Sequence, residues 1–308
     1  MKGLWGLPIL AIGLVLYGCG GSGGSGSGGG GVVTDPPSEK IFFTIYDDED
    51  NGTIYRMDPN GSNIVPLTLG DDDNFRPVAN LANNKVYFSS SLFGGYQICE
   101  IDEDGNFLRK VTDMPGDAKP VPYSVSPDGK YLLATAINIL SPTSQGDIVR
   151  INIETGEYEA IGSSEFPDFD PCYSPNGNKI VFGGDTGANG NDLYTMNANG
   201  SNVQILRATE DEEYSARFSP DGSKIAFTVI SGNVCRIWVM SANGSNANPV
   251  TDGAGKYTMA AFSRDGAKII ARRKNDNDSS DLGTLTLGST TFTPFTTPEG
   301  FPSEPFWR

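Results

Sequence analysis

The sequence predicts an all-β fold, a six-bladed β-propeller of four-stranded antiparallel blades, and two independent recurrences carry that prediction. One is a lysine opening an apolar run, at Lys40, Lys85, Lys130, Lys179, Lys224 and Lys268. The other is a turn glycine, at Gly61, Gly105, Gly156, Gly200, Gly244 and Gly288. Both recur with a period of about 45 residues, the length of a propeller blade, and no helical periodicity interrupts the β-rich runs.

Blade five shows the unit. Tyr214 to Phe218 reads as the innermost strand, Ser219-Pro220-Asp221-Gly222 as a turn, and Lys224-Ile225-Ala226-Phe227-Thr228 as a β-branched and aromatic second strand. Arg236-Ile237-Trp238-Val239-Met240 gives the third strand. Asn243-Gly244 then reads as a tight hairpin turn with positive φ at both central residues, and Asn246 to Thr251 as the outer strand. The same turn recurs as Ser126-Pro127-Asp128-Gly129, Ser174-Pro175-Asn176-Gly177 and Ser263-Arg264-Asp265-Gly266. Blade two degenerates to Leu81-Ala82-Asn83-Asn84, and blade three carries an insertion from Ile137 to Gly146. The chain enters the repeat at Lys40 in a second strand and finishes with Glu304-Pro305-Phe306-Trp307, which reads as a first strand. The C-terminal strand is therefore expected to complete the first blade and close the ring. Asn-Gly-Ser or Asn-Gly-Thr at Asn51, Asn60, Asn199 and Asn243 is read as turn chemistry rather than as glycan acceptors.

The Ser-Pro-Asp-Gly-Lys turn, the apolar strand and the later Asn-Gly or Asp-Gly turn resemble the TolB-type propeller repeat of bacterial envelope proteins. The resemblance covers residues 38–308 and implies the fold. TolB also has an N-terminal α/β domain, in whose place this chain has a leader and linker. In TolB the propeller engages a peptidoglycan-associated lipoprotein, so the likeness implies an envelope protein partner.

Residues 1–18 read as a lipoprotein signal peptide, with Lys2 before an apolar run from Leu4 to Tyr17 that is short for a membrane span. Leu16-Tyr17-Gly18-Cys19 resembles the lipobox of bacterial lipoproteins, which implies cleavage before Cys19 and its acylation. An ordinary secretory signal with an incidental cysteine is the alternative. Residues 19–37 read as the lipidated cysteine and a Gly/Ser-rich flexible tether. The expected location is export to the cell envelope, anchored by lipid at the outer membrane, on its periplasmic face or surface, as a monomer. Cys99, Cys172 and Cys235 cannot all pair internally, and their strand positions suggest buried free thiols.

The chain has no histidine. That excludes Ser-His-Asp and Cys-His nucleophile systems and the commonest zinc ligands. Pectin-fragment lyases with similar repeats use histidines for metal and chemistry, so no enzyme activity is expected.

Net charge is −16, and the 38 acidic residues concentrate in loops joining second to third strands and blade to blade. In a four-stranded blade those loops open on one rim, which would repel nucleic acid and attract cations or basic protein surfaces. Rim residues expected to bind a partner are Asp47, Asp48, Asp50, Asp71, Asp72, Asp73, Asp211, Glu212, Asp276 and Asp278, with Phe75, Phe93, Phe166 and Phe169 as aromatic anchors. Solvation of exposed loops is the plainer reading of the same charge. Oxygen-rich loops at Asp47, Glu49 and Asn51 and at Asp276 and Asp278 approach calcium-loop spacing, although no cofactor is required. The leading reading is a non-catalytic protein-binding module. The alternative is small-molecule or polysaccharide binding in the central channel, with calcium assisting, and Arg217 on an innermost strand as its channel residue.

Overall fold

The computed structural model describes residues 39–137, 146–162, 166–185, 190–253, 255–276 and 279–307. Blade one contains β1 (Ile41–Tyr46), β2 (Gly52–Met57) and β3 (Val65–Pro66). Blade two is β4 (Asn74–Asn80), β5 (Lys85–Ser90), β6 (Gln97–Asp102) and β7 (Arg109–Lys110). Blade three is β8 (Val121–Val125), β9 (Tyr131–Ala136), β10 (Asp147–Asn152) and β11 (Tyr158–Ala160). Blade four is β12 (Asp168–Tyr173), β13 (Lys179–Asp185), β14 (Asn191–Asn197) and β15 (Gln204–Arg207). Blade five is β16 (Glu212–Phe218), β17 (Lys224–Ser231), β18 (Val234–Ser241) and β19 (Asn248–Pro249). Blade six is β20 (Lys256–Phe262), β21 (Lys268–Lys274), β22 (Ser280–Thr286) and β23 (Thr293–Pro294). The last strand, β24 (Phe301–Trp307), pairs antiparallel with β1 and makes the sheet order β24-β1-β2-β3, so the ring closes as the sequence indicates.

Each second strand is buried on both faces because a neighbouring blade covers each side, which is why these strands read as continuous apolar runs rather than alternating ones. The core is six interfaces rather than one centre. Between blades three and four, for example, Leu133 and Ile148 meet Tyr173, Ile180, Phe182 and Met196.

The repeated turn is held by its serine. Ser219 Oγ donates to Asp221 at 2.6 Å and accepts from Lys224 N at 3.0 Å, while Gly222 N closes the turn on Ser219 O at 2.8 Å. Pro220 supplies the φ that the position after the serine requires. The serine bond, with the bonds from Ser223, holds the Asp221 carboxyl far below its ordinary range. The recurring lysines reach across to the later turn: Lys40 bonds Asp58 at 2.6 Å and Lys179 bonds Asn197 at 2.9 Å.

The turn between third and fourth strands differs from the sequence expectation. Asn60, Asn199 and Asn243 do not take positive φ; the glycine after each does, as does a later asparagine at Asn63, Asn202 or Asn246. The bond from Gly244 N to Ser241 O makes Asn243 the third residue of a four-residue turn that ends in a glycine bulge. Asn243 Oδ1 instead accepts from Ser245 N at 3.1 Å and Ser245 Oγ at 2.7 Å, the turn role inferred for these motifs.

These glycines also let blades approach. A Cβ on Gly105, Gly156, Gly200 or Gly244 would stand 2.6, 2.3, 2.4 or 2.5 Å from a carbonyl oxygen of the preceding blade's outer edge. Gly288 has nothing within 4 Å of such an atom, although its φ of +92° is equally left-handed. Gly288→Ala is therefore expected to cost about 1–2 kcal/mol, the left-handed penalty alone. Gly156→Ala should cost about 1–3 kcal/mol more through overpacking. Urea unfolding of the two variants checks this, and equal midpoints would refute the role of the glycines in blade contact.

Candidate functional site

All six innermost strands break register near their middle. In five blades two residues face one on the second strand: Arg76-Pro77, Asp170-Pro171, Ser215-Ala216, Met259-Ala260 and Glu304-Pro305. In blade three the extra residue is Tyr123. Arg76, Asp170, Ser215, Met259 and Glu304 take left-handed φ of 52–59°. A proline after three of them has no N–H to leave unbonded where the ladder breaks.

The bulges turn these side chains to the axis. Arg76, Tyr123, Ser215, Met259 and Glu304 line one small cavity of about 30 Å³, and Asp170 accepts from Ser215 Oγ at 2.6 Å. Glu304 accepts from Thr44 Oγ1 at 2.9 Å, Tyr46 Oη at 3.1 Å and Arg76 N at 2.8 Å. The Arg76 guanidinium lies 3.5 Å from Glu304 and 4.5 Å above the Tyr123 ring. Arg217 Nη1 donates to Asp170 O at 3.1 Å and Ala216 O at 2.9 Å, with its guanidinium 5.7 Å from the Tyr123 ring.

The energetics follow from the burial. Burial acts to raise the Asp170 carboxyl, but Arg76, Arg217, Ser215 and Tyr123 outweigh it and hold the acid below its ordinary range. Burial pushes the Tyr123 phenol up to about 12 against the pull of Arg76. The site is a plug of paired charges on the axis. Its cavity has room for no more than a water molecule or two, so a polysaccharide threading the axis would first have to displace the plug.

Two mouths open on either side of the plug. One, of about 400 Å³, includes Tyr46, Asp73, Phe75, Tyr96 and Lys119 on the face of the second-to-third strand loops. The other, of about 410 Å³, opens among the Ser-Pro turns and is lined by Arg217, Phe218 and Trp307 among others.

The acidic residues predicted for the rim divide into exposed and engaged groups. Asp48, Asp50, Asp71 and Asp276 are exposed; Asp72 and Asp211 are half-buried. Asp47 is exposed but accepts from Glu49 N and Asn51 N, both at 2.9 Å, and the bond from Asn51 lowers its pKa. Asp73 joins blades one and two by accepting from Gly52 N at 2.8 Å and Tyr96 Oη at 2.7 Å. Glu212 accepts from Tyr214 Oη at 2.6 Å. Asp278 lies outside the described residues. Among the described residues, no group of three or more histidine, cysteine, aspartate or glutamate side chains is placed to hold a metal ion. Phe75 is half-buried with its edge on Tyr96, Phe93 is 45 % exposed, and Phe166 and Phe169 are half-buried against Tyr194 and Tyr214. Cys99 and Cys172 are buried free thiols, whereas Cys235 is half-buried.

Besides Asp170 and Glu304 of the plug, four acids that the loop positions assign to the rim are internal: Asp147, Asp168, Asp192 and Glu213. Asp168, for example, accepts from Ile148 N of the neighbouring blade at 2.8 Å. These acids sit where a strand begins against the next blade, and the backbone there needs acceptors. The plug residues were visible only indirectly. Arg76, Asp170, Ser215 and Met259 each stand four positions before the residue that opens the turn, and an X-Pro pair inside a strand marks a bulge.

Asp192 and Glu213 form a buried acidic pair in which Oδ1 of the first and Oε2 of the second have no hydrogen-bond partner. Burial raises both pKa values, Asp192 further through Asp185 and Glu213 further through Asp192. A raised folded-state carboxyl pKa favours folding below the unfolded value of about 4, and that advantage is lost as pH rises through the folded value. Asp192→Asn is therefore expected to gain stability relative to wild type as pH increases from about 4 toward neutrality. Thermal midpoints of both proteins across that range test it; a difference independent of pH would count against the ionised pair as the cause.

Comparison with known proteins agrees with this architecture. The TolB beta propeller domain family matches residues 141–303, and the chain belongs to that family. An uncharacterized protein of Agrobacterium fabrum is 28% identical over 142 residues, which cover 43% of this chain and 46% of that protein. The chain thus spans about half the length of that relative. TolB from Acinetobacter baumannii superposes with a TM-score of 0.76 at 19% identity, covering 87% of this chain and 66% of that one. Oligogalacturonate lyase from Vibrio parahaemolyticus superposes with a TM-score of 0.58 at 15% identity, covering 82% of this chain and 78% of the lyase. At these identities the likeness is one of fold.

Proposed function

We propose that this propeller is a non-catalytic protein-docking module of the bacterial cell envelope, and that its acidic face receives a basic surface of the partner. The observation that carries this reading is the set of exposed carboxylates Asp48, Asp50, Asp71 and Asp276 in loops on the same face as a mouth walled by Tyr46, Phe75 and Tyr96. They belong to blades six, one and two, which are neighbours through β24. Of the basic residues nearby, Arg76 is engaged in the plug, Arg272 with Ser280 and Arg273 with Asp281 at 2.6 Å, while Lys119 is exposed at the mouth with its ammonium 5.9 Å from the Tyr96 ring. Carboxylates on the same face as partly exposed aromatics steer a basic partner, and the aromatics then offer apolar anchors. The absence of histidine supports a non-catalytic role. Membership of the TolB propeller family supports protein binding, and the likeness to TolB supports an envelope partner.

Neutralising Asp48, Asp50, Asp71 and Asp276 together to asparagine leaves the turn and plug hydrogen bonds described above in place. Wild type is expected to retain one specific envelope protein at about 0.05 M salt and release it at about 0.5 M, with the variant retaining none. Affinity capture followed by mass spectrometry reads this out. Equal retention by the variant, or retention indifferent to salt, would reject the acidic face as the docking surface.

The anchor belongs to the same proposal. Residues 1–18 would be removed, Cys19 acylated, and residues 19–37 would tether a monomeric propeller over residues 38–308 at the outer membrane. Cys19→Ser is expected to abolish incorporation of labelled palmitate and to move the protein from the membrane to the soluble fraction. Unchanged labelling would disprove acylation at Cys19.

A further inference from the structure

The funnel on the Ser-Pro turn face has a chemistry opposite to that of the rest of the molecule. Pro127, Pro175 and Pro220 stand around its mouth, Phe218, Phe262 and Trp307 contribute to its walls, and its volume is about 410 Å³. In a chain of net charge −16, the lining contains two arginines, Arg217 and Arg264, and no carboxylate among the described residues. The acids of the surrounding turns are engaged elsewhere: Asp128 accepts from Ser126 Oγ, Asp221 from Ser219 Oγ and Asp265 from Ser263 Oγ, each at 2.6 Å. Arg264 is exposed, and the half-buried Arg217 lines both this funnel and the plug cavity.

The plug beneath brings Arg217 to the floor of the funnel. Arg76 and Arg217 act on Asp170, and Arg76 also lies 3.5 Å from Glu304, so the two guanidinium groups and two carboxylates of the plug balance and the funnel's own arginines set its sign. Arg76 Nε is buried without a hydrogen-bond partner. An apolar enclosure of this size with a cationic floor suits a ligand that buries its body and presents one anionic end.

We propose that this funnel binds a small organic monocarboxylate with an aromatic body, its carboxylate directed to Arg217. The aromatic and proline walls match a flat apolar ring system, and a planar guanidinium matches a carboxylate. The proposal is independent of docking on the acidic face, because the plug separates the two mouths.

Isothermal titration of the full chain with three ligands of one shape tests it: 1-naphthaleneacetate, 1-naphthaleneethanol and 1-naphthaleneethylamine. The expected result is saturable one-to-one binding of the carboxylate, at least about tenfold tighter than the alcohol, with the amine weakest. Arg217→Gln should bring carboxylate affinity down to that of the alcohol while leaving alcohol binding intact. Arg264→Gln, at the exposed lip and outside the plug, should reduce the carboxylate-over-alcohol preference about two- to threefold, and it decides the matter should Arg217→Gln fail to fold. No saturable binding, equal binding of the three ligands, or an unchanged preference in the folded variants would overturn the proposal.

Discussion

The carboxylate of Glu304 is the junction on which the ring depends. It lies on the closing strand β24, accepts bonds from Thr44 and Tyr46 of β1, and reaches the backbone and guanidinium of Arg76 in blade two. One side chain therefore connects the last strand of the chain to the first two blades. Its side chain is only 8% exposed, and the hydroxyls of Thr44 and Tyr46, the Arg76 N–H and the Arg76 guanidinium supply the partners that a buried carboxylate needs. The hydrophobic interfaces bring the blades together, and this cluster specifies which strand completes the first of them.

The two faces acquire different chemistry from the same topology. Each second-to-third strand loop and each crossover between blades lies on one face, where loops vary in length and can carry acids. Each Ser-Pro turn lies on the other, and there the sequence is constrained by the turn itself. Its serine and acid bond one another and the backbone, and its proline and the last residue of the inner strand are left to face the axis. A funnel walled by prolines and aromatics is thus a consequence of one turn recurring around a circle, with its proline in blades three, four and five. The arginines are departures from that repeat: Arg264 stands where other blades have proline, and Arg217 stands beside the bulge of blade five.

How much of this was legible in the sequence depends on range. The blade count, the second strands and the closing strand follow from periodicity and local pattern, because each is set by residues close in sequence or by a repeat. The bulges escaped, since a strand read as strict alternation assigns Arg76, Asp170 and Glu304 to loops or surfaces, whereas a left-handed residue turns each of them inward. Counting acids by loop position likewise placed Asp168 and Glu213 at the rim. Burial was decided by a neighbouring blade that the local sequence does not name. The hairpin asparagines were read correctly as turn residues and given the wrong backbone, because Asn-Gly serves both a two-residue turn and a four-residue turn ending in a glycine bulge.

The plug also limits what the molecule can do along its axis. An open channel would let a ligand on one face feel the charge and contents of the other. Here the axis narrows to a space for a water molecule or two between Arg76, Tyr123, Arg217 and Glu304. The residues that fill it are bonded across strands, Arg76 to Thr44 of β1 and Glu304 of β24 and Arg217 to Asp170 of β12, so moving one disturbs the charges of its partners. Any communication between the acidic face and the funnel must therefore pass through displacement of these ion pairs, a change that the surrounding interfaces resist. Two faces of opposite charge can then coexist on one small ring without either neutralising the other.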